Sequence, residues 1–243
     1  MKVAYCLYGQ PRLAKRGHEN IAAFLQNVTV DFYIHMWHDP EKTHFDSSPW
    51  RAIPATDLQI DKNIIPFLLE AYRPVSCQIE RPRTLDVPGI QESLMFQNSD
   101  EIKRANLNNT LSQMYSKQCV RDLLAPRAHE YDLIIASRFD FVNPIQVDLR
   151  ELNRDKLYVA DFRLPQAIFP DNFIVCNPDM FLRMFNAYGD LEKSMNDQAL
   201  HHTMNLNGEQ AVLVTENILF ASFLKYLSVE NHAVFTPQIP DFH

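Results

Sequence analysis

Glycine is scarce in this sequence, at 5 of 243 residues, or about 2% against a usual ~7%. Neither the G-x-G-x-x-G fingerprint of dinucleotide-binding proteins nor a Walker A loop occurs in it. Both motifs need glycines so that the backbone can approach a phosphate closely. Dinucleotide-binding and P-loop interpretations therefore lose their main support.

Positive charge and paired cysteines are also in short supply. The chain has 23 Lys and Arg against 30 Asp and Glu, a formal net charge of −7. This balance argues against a broad basic surface for non-specific nucleic-acid binding, although it leaves room for a local basic pocket. The four cysteines lie far apart with no C-x-x-C pair, which indicates reduced thiols in a cytoplasmic protein rather than a disulfide frame or a zinc site. They are Cys6, Cys77, Cys119 and Cys176.

Long hydrophobic runs are missing as well. The longest uncharged run, Ala105–Ser116, is polar and too short to cross a bilayer. The N-terminal apolar run stops at Gln10, Pro11 and Arg12, a pattern typical of a strand rather than a signal peptide. We therefore expect no membrane span.

Strand and helix patterns alternate through the first half of the chain, which is typical of a parallel sheet covered by helices on both faces. Predicted strands are 3–8, 30–36, 75–79 and 133–136, and predicted helices are 14–26, 63–72 and 99–124. The second half is less regular. Its predicted strands are 156–160, 172–176 and 232–235, and its predicted helices are 178–188 and 215–226.

These patterns predict one α/β domain over residues 1–243. We expect a nucleotide-binding half at 1–140 and a mixed acceptor half at 141–243. Open parallel sheets bind ligands at the carboxyl ends of their strands, and three polar segments follow predicted strands.

The first polar segment runs from Tyr8 to Arg12. Gly9 would let the backbone approach a ligand, and Arg12 could hold a phosphate with two parallel hydrogen bonds. The alternative is a tight turn with a solvated arginine.

The second segment contains His35, Trp37 and His38. Two histidines three residues apart bind one metal ion when they share a helix face, but at a strand end they point apart. We therefore expect a structural Trp37 with hydrogen-bonded histidines, and we reject a zinc site at this segment.

The third segment is Ser137–Asp140, after an apolar strand. A carboxylate here suits Mn²⁺ or Mg²⁺ bridging a diphosphate, because these cations take oxygen ligands and keep positions open for substrate. Arg138 could add charge against the same phosphates or fix Asp140 through a salt bridge. The alternative is a purely structural Arg–Asp pair.

The order of motifs resembles a group of short bacterial and viral glycosyltransferase-like proteins with the GT-A fold. These proteins share a G-Q-P-R opening, a D-x-x-I-H-x-W strand, an N-x-x-S-x-x-Y-S helix, a Y-D strand ending in R-x-D, a D-x-F segment and an acidic residue that opens a late helix. The matching positions are Met1–Arg12, Asp31–Trp37, Asn109–Ser116, Tyr131–Asp140, Asp171–Phe173 and Glu216.

This resemblance implies a GT-A-like fold and a nucleotide diphosphate sugar as donor. It implies that the donor lies against the segments that follow the first and fourth predicted strands and against the helix predicted over 99–124. The implied contact residues are Gly9, Gln10, Arg12, Gln113, Lys117, Arg138 and Asp140.

The chain departs from the D-x-D metal triplet of such enzymes, because Arg138 stands at the first Asp. Asp140 matches the later Asp, and the resemblance implies Mn²⁺ or Mg²⁺ held by Asp140 and by a residue after the last strand. His243 is our candidate for that second ligand, with Asp241 beside it in sequence. Metal dependence is open at this point.

Inverting glycosyl transfer needs a carboxylate base near the acceptor hydroxyl. Our candidates are Asp171 and Glu216, with Asp197 and Glu209 as weaker alternatives. Asp171 lies in a predicted loop, where Asp also favours turns. Glu216 lies in the first turn of a predicted helix, where a carboxylate is favoured by about 0.3–1 kcal/mol in any case.

The sequence therefore predicts a glycosyltransferase that uses a nucleotide sugar and a hydroxyl acceptor on a glycan or lipid-linked sugar. One alternative within this class is transfer to hydroxylated DNA bases, which the net charge disfavours. Alternatives from other classes are a non-catalytic nucleotide-sugar-binding or scaffold protein and a different α/β enzyme such as a nucleotidyltransferase.

Overall fold

The first strand is buried on both of its faces. Its side chains alternate between two hydrophobic clusters, because successive residues of a strand point to opposite faces of the sheet. One set is Val3, Tyr5 and Leu7, and the other is Ala4, Cys6 and Tyr8. A strand covered on both faces belongs in the interior of a sheet with helices on each side.

The structure is a computed structural model, and it describes residues 1–26, 28–45, 58–86, 100–141, 143–161, 170, 172–191, 218–219, 222–223 and 227–239. The strands are β1 (Val3–Gly9), β2 (Val30–Trp37), β3 (Ser76–Glu80), β4 (Leu133–Arg138), β5 (Leu157–Ala160), β6 (Phe173–Cys176) and β7 (Ala233–Thr236). The helices are α1 (Ala14–Phe24), α2 (Ile64–Tyr72), α3 (Asp100–Leu124), α4 (Pro178–Met184) and α5 (Val229–His232), with a 3₁₀ helix over Ala125–Glu130.

The seven strands form one mixed, mostly parallel sheet in the order β3-β2-β1-β4-β6-β5-β7. Strands β1 to β4 run parallel to one another. Strand β6 runs antiparallel to both of its neighbours, β4 and β5, and β7 pairs parallel with β5. The predicted parallel sheet from the first four strands is confirmed.

Helices cover both faces of this sheet, as predicted. Helix α3 packs across β1 and β2, and its apolar residues share one cluster with those of α4. Helices α1 and α2 contribute to the cluster on the opposite face. The division into a nucleotide-binding half and an acceptor half stays a prediction.

Local chemistry sets the ends of two helices. Helix α4 begins where the Asn177 side chain accepts a hydrogen bond from the Met180 N–H at 2.9 Å, with Pro178 at the first helical position. Helix α2 ends before Arg73, whose φ of 42° is left-handed, and before Pro74, which cannot continue a helix. The helix predicted over 178–188 ends earlier, at Met184. Of the helix predicted over 215–226, residues 218–219 and 222–223 are described, and they are helical.

All four cysteines are free, as predicted. Cys77 is partly buried and the other three are buried. None of the helices in the described part of the chain combines the length and the hydropathy that crossing a bilayer requires.

Candidate functional site

The loops after β1 and β4 lie side by side at the carboxyl edge of the sheet. Strands β1 and β4 pair in parallel, and Tyr8 lies opposite Arg138. The Gly9 loop and the Arg138–Asp140 loop therefore share one edge of the sheet. This is the edge at which open α/β sheets bind ligands.

Gly9 ends β1 in a conformation that favours glycine. Its φ is +100°, and a Cβ added there would meet nothing within 4 Å. The space beside the backbone is open, and the Gly9 N–H is held by a 2.9 Å hydrogen bond to Ser116 Oγ of α3. The next residues form a tight turn, in which the Arg12 N–H donates to the Gln10 carbonyl at 2.8 Å.

Arg12, Arg138 and Asp140 meet at this edge. Arg138 binds Asp140 with two hydrogen bonds, Nε to Oδ1 at 2.9 Å and Nη2 to Oδ2 at 2.6 Å. Arg12 Nη2 lies 3.5 Å from the same Oδ2. The Asp140 side chain is 3% exposed and both arginine side chains are less than one-sixth exposed. Two guanidinium groups and one carboxylate therefore meet in a poorly solvated position.

These contacts bear on the predicted Mn²⁺ or Mg²⁺ ion. Both Asp140 oxygens are already held by Arg138, so a cation there would displace guanidinium contacts and stand beside two positive charges. The arrangement matches the salt-bridge alternative for Arg138 and does not fit a divalent ion at Asp140. His243 lies outside the described residues, so its role as a second metal ligand stays a prediction.

Helix α1 holds the segment that carries Asp140. A Cβ on Gly17 would lie 2.0 Å from the Phe139 carbonyl oxygen, so only glycine allows this approach. The Asn20 side-chain amide donates to the carbonyls of Phe141, at 3.3 Å, and Asn143, at 2.6 Å. Helix α1, which packs on the face of the sheet opposite to α3, therefore fixes the turn after β4.

Gln113 and Lys117, the predicted contacts from α3, lie one turn apart on that helix. Lys117 is fully buried, with its Nζ 4.9 Å from the centre of the Tyr8 ring. Burying an ammonium group is costly unless other groups compensate its charge. Lys117 therefore places its side-chain nitrogen beside the end of β1, whereas Gln113 is partly exposed.

His35 and Trp37 contact the same stretch of α3. His35 Nδ1 lies 2.6 Å from Ser116 Oγ, and Trp37 Nε1 donates to the Ser112 carbonyl at 3.2 Å. The Trp37 ring stacks on Tyr115 at 5.4 Å between centroids. The predicted structural Trp37 and hydrogen-bonded His35 are confirmed, and these contacts join the β2 motif to the α3 motif. For His38 the prediction does not hold at Nδ1, which is buried with no hydrogen-bond partner among the described residues.

The electrostatics of His35 follow from its burial. Desolvation lowers the pKa of His35 to about 4, although the Glu80 carboxylate opposes that shift. Burial likewise raises the pKa of the nearby Cys119 thiol to about 11. At pH 7 the imidazole is therefore neutral and the thiol is protonated.

Sequence reasoning missed Glu80, Cys119 and Ser116. The Glu80 and Cys119 side chains lie beside His35, while Ser116 joins His35 to the Gly9 backbone. The available signal was the i, i+3 spacing of Ser116 and Cys119, which places both on one helix face.

The predicted bases Asp171 and Glu216 lie outside the described residues, as do Asp197, Glu209 and Asp241. The residue after Asp171 is described: the Asn172 carbonyl accepts a hydrogen bond from the Arg138 N–H at 3.2 Å. The chain therefore passes next to Arg138 immediately after Asp171.

Comparisons with known proteins give likenesses among solved structures alone. No protein-family model matches the chain, and no curated protein matches it. Among solved structures, it is similar to the galactosyltransferase LgtC in complex with donor and acceptor sugar analogues. The identity is 11% and the TM-score 0.42, over 92% of this chain and 70% of that one. What the chain does must therefore be inferred from its own residues.

Proposed function

We propose that this protein transfers a sugar from a nucleotide diphosphate sugar to a hydroxyl acceptor on a glycan or lipid-linked sugar. The observation that carries the proposal is the meeting of Arg12 and Arg138 on Asp140 at the carboxyl edge. Guanidinium forks match the geometry of phosphate oxygens and bind them with charge-assisted hydrogen bonds. Two guanidinium groups with little solvent around them suit a diphosphate.

The diphosphate lies between the loops after β1 and β4 in this proposal. The open backbone at Gly9 supports close approach of the donor, with Gln10, Gln113 and Lys117 as further donor contacts. Asp140 is a positioning residue that holds Arg138 in place. The two arginines therefore neutralise the leaving diphosphate without a divalent cation at Asp140.

The transfer step needs a proton acceptor as well. The acceptor hydroxyl oxygen attacks the anomeric carbon, the bond from that carbon to the diphosphate oxygen breaks, and a carboxylate takes the hydroxyl proton. We assign Asp171 as this base ahead of Glu216. Support comes from Asn172, whose carbonyl accepts from the Arg138 N–H and so brings the chain next to the diphosphate side.

Donor binding is tested by a thermal-shift screen of UDP-, GDP-, dTDP- and CMP-sugars, followed by calorimetry of the best ligand in EDTA. We expect binding without a metal ion. Arg12→Ala should weaken it by about tenfold or more, because a hydrogen bond to a charged group contributes about 1.5–3 kcal/mol. Arg16→Ala is the matched control, since Arg16 lies on α1 and is exposed. Binding that appears only with Mn²⁺ would instead support the metal-dependent alternative.

Sugar transfer is tested separately with Asp171→Asn and Glu216→Gln. Removing the base should abolish transfer and spare donor binding, because the base acts on the acceptor hydroxyl. If both variants transfer sugar at the wild-type rate, the base assignment is wrong. Donor binding by the wild type without transfer to any acceptor would favour the non-catalytic binding alternative.

A further inference from the structure

Three metal-ligating side chains from three separate elements meet between α3 and the β2–β3 part of the sheet. They are His35 of β2, Glu80 at the end of β3 and Cys119 of α3, and their ligand atoms all lie within 4.8 Å of one another. The His35 side chain is fully buried and the Glu80 side chain is 20% exposed. His35 Nε2 has no hydrogen-bond partner among the described residues, and it faces Glu80 Oε1 at 3.5 Å.

The spacing of these atoms matches that of ligands around one small cation. Zinc binds His nitrogen and carboxylate oxygen at about 2.0–2.2 Å and thiolate sulfur at about 2.3 Å, so tetrahedral ligand atoms lie about 3.3–3.6 Å apart. The 3.5 Å between Nε2 and Oε1 is long for a strong hydrogen bond and fits this range. Movement of the Cys119 thiol by roughly 1 Å would complete the set.

The surrounding hydrogen bonds also resemble those around metal ligands, which are held from behind by other polar groups. His35 Nδ1 contacts Ser116 Oγ at 2.6 Å, which leaves Nε2 directed at the cluster. The Glu80 Oε1 atom accepts hydrogen bonds from Gln78 Nε2 and, at 3.2 Å, from the Tyr115 hydroxyl. The other Glu80 oxygen, Oε2, lies 3.5 Å from Arg83 Nη2, which leaves Oε1 directed at the cluster. Both of the ligands from β-strands are therefore oriented by their neighbours.

We propose that His35, Glu80 and Cys119 form a binding site for a divalent cation of the Zn²⁺ type. Mixed nitrogen, oxygen and sulfur ligands suit zinc better than the hard cations Mg²⁺ and Ca²⁺. A water molecule completes a tetrahedral shell, and Cys119 releases its proton to solvent on binding. The bound ion ties β2, β3 and α3 together. His38 takes no part in it, and none of the three ligands is a residue assigned to glycosyl transfer. The proposal departs from the sequence-based rejection of a zinc site at the His35 segment.

Titration of the metal-free protein with Co²⁺ tests this site, because a cobalt–thiolate bond gives a charge-transfer absorption band. We expect one equivalent to bind with that band in the wild type. Cys119→Ser should lose the band and weaken affinity by more than about a hundredfold, since loss of an outer hydrogen-bond partner alone costs about 10–100-fold. Ser116→Ala should fall within that smaller range.

Cys77→Ser is the matched control. Cys77 lies on β3 but packs in the cluster on the opposite face of the sheet, so this variant should keep both the band and the affinity. Absence of the band in the wild type, or its persistence in Cys119→Ser, would overturn the proposal. If Cys119→Ser does not fold by circular dichroism, Glu80→Gln decides: weaker Co²⁺ binding with the band retained supports the site, and unchanged affinity overturns it.

Discussion

Replacing Gly17 with alanine tests the close contact between α1 and the turn that carries Asp140. The added Cβ would lie 2.0 Å from the Phe139 carbonyl oxygen, so helix and turn must separate by about 1 Å or more. Forcing extra atoms into a packed core costs about 1–3 kcal/mol. The clashing atom, the Phe139 carbonyl oxygen, belongs to the backbone and cannot rotate away as a side chain can. The upper part of this range therefore applies.

Alanine also favours the helix by about 1 kcal/mol over glycine. The net expectation is therefore a loss of about 2 kcal/mol in the free energy of unfolding, which lowers the melting temperature by roughly 4–8 °C for a chain of this size. Donor affinity should fall as well, because the separation displaces Asp140 and its salt bridge with Arg138.

Urea denaturation followed by circular dichroism measures this loss. Gly189→Ala is the control, since the nearest atom to its added Cβ would be 3.6 Å away, an ordinary contact. We expect that variant to stay within about 0.5 kcal/mol of the wild type. A Gly17→Ala protein as stable as the wild type, or more stable, would refute the contact.

Three further perturbations have defined outcomes. Asp140→Asn should lower the rate of sugar transfer by a hundredfold or more, which is about 2.7 kcal/mol of transition-state stabilisation. Circular dichroism should show an intact fold, and near-normal turnover would mean that the carboxylate is only structural. Asn177→Ala removes the side chain that accepts from the Met180 N–H and should cost about 1 kcal/mol of unfolding free energy by urea titration. Hydrogen bonds from Arg127 are the main reason that the pKa of Glu130 falls to about 2. This carboxylate therefore stabilises the fold above pH 4.5 and loses that effect as pH falls toward 2. The free energy of unfolding of Glu130→Gln should accordingly change less with pH over this range than that of the wild type.

Local periodicity was enough to predict the strands and helices of the first half. The apolar run that begins at Val3 and the long helical pattern that ends at Leu124 both match the observed elements closely. The direction of β6 in the sheet could not be predicted from local periodicity. All four of its residues are buried, which is the pattern of a parallel interior strand, so nothing local distinguishes its antiparallel direction.

Some contacts of the candidate site could likewise be predicted from the sequence, and others could not. Arg138 and Asp140 are two residues apart, so their salt bridge was a foreseeable alternative from sequence. The approach of Arg12 depends on the pairing of β1 with β4, which brings together positions more than a hundred residues apart. The cluster of His35, Glu80 and Cys119 likewise requires three elements to be packed first.

The pairing of β1 with both β2 and β4 has a consequence for how the chain is made. Val3 lies opposite Leu133, and about 120 residues must be synthesised after β1 before β4 exists. At ribosomal rates of about 5–20 residues per second, that interval lasts roughly 6–25 s. Throughout it, one hydrogen-bonding edge of β1, a strand with six buried residues in the folded protein, has no partner. An unpaired strand edge is a template for association with other chains. We therefore expect the nascent chain to depend on chaperones that cover this edge until β4 leaves the ribosome.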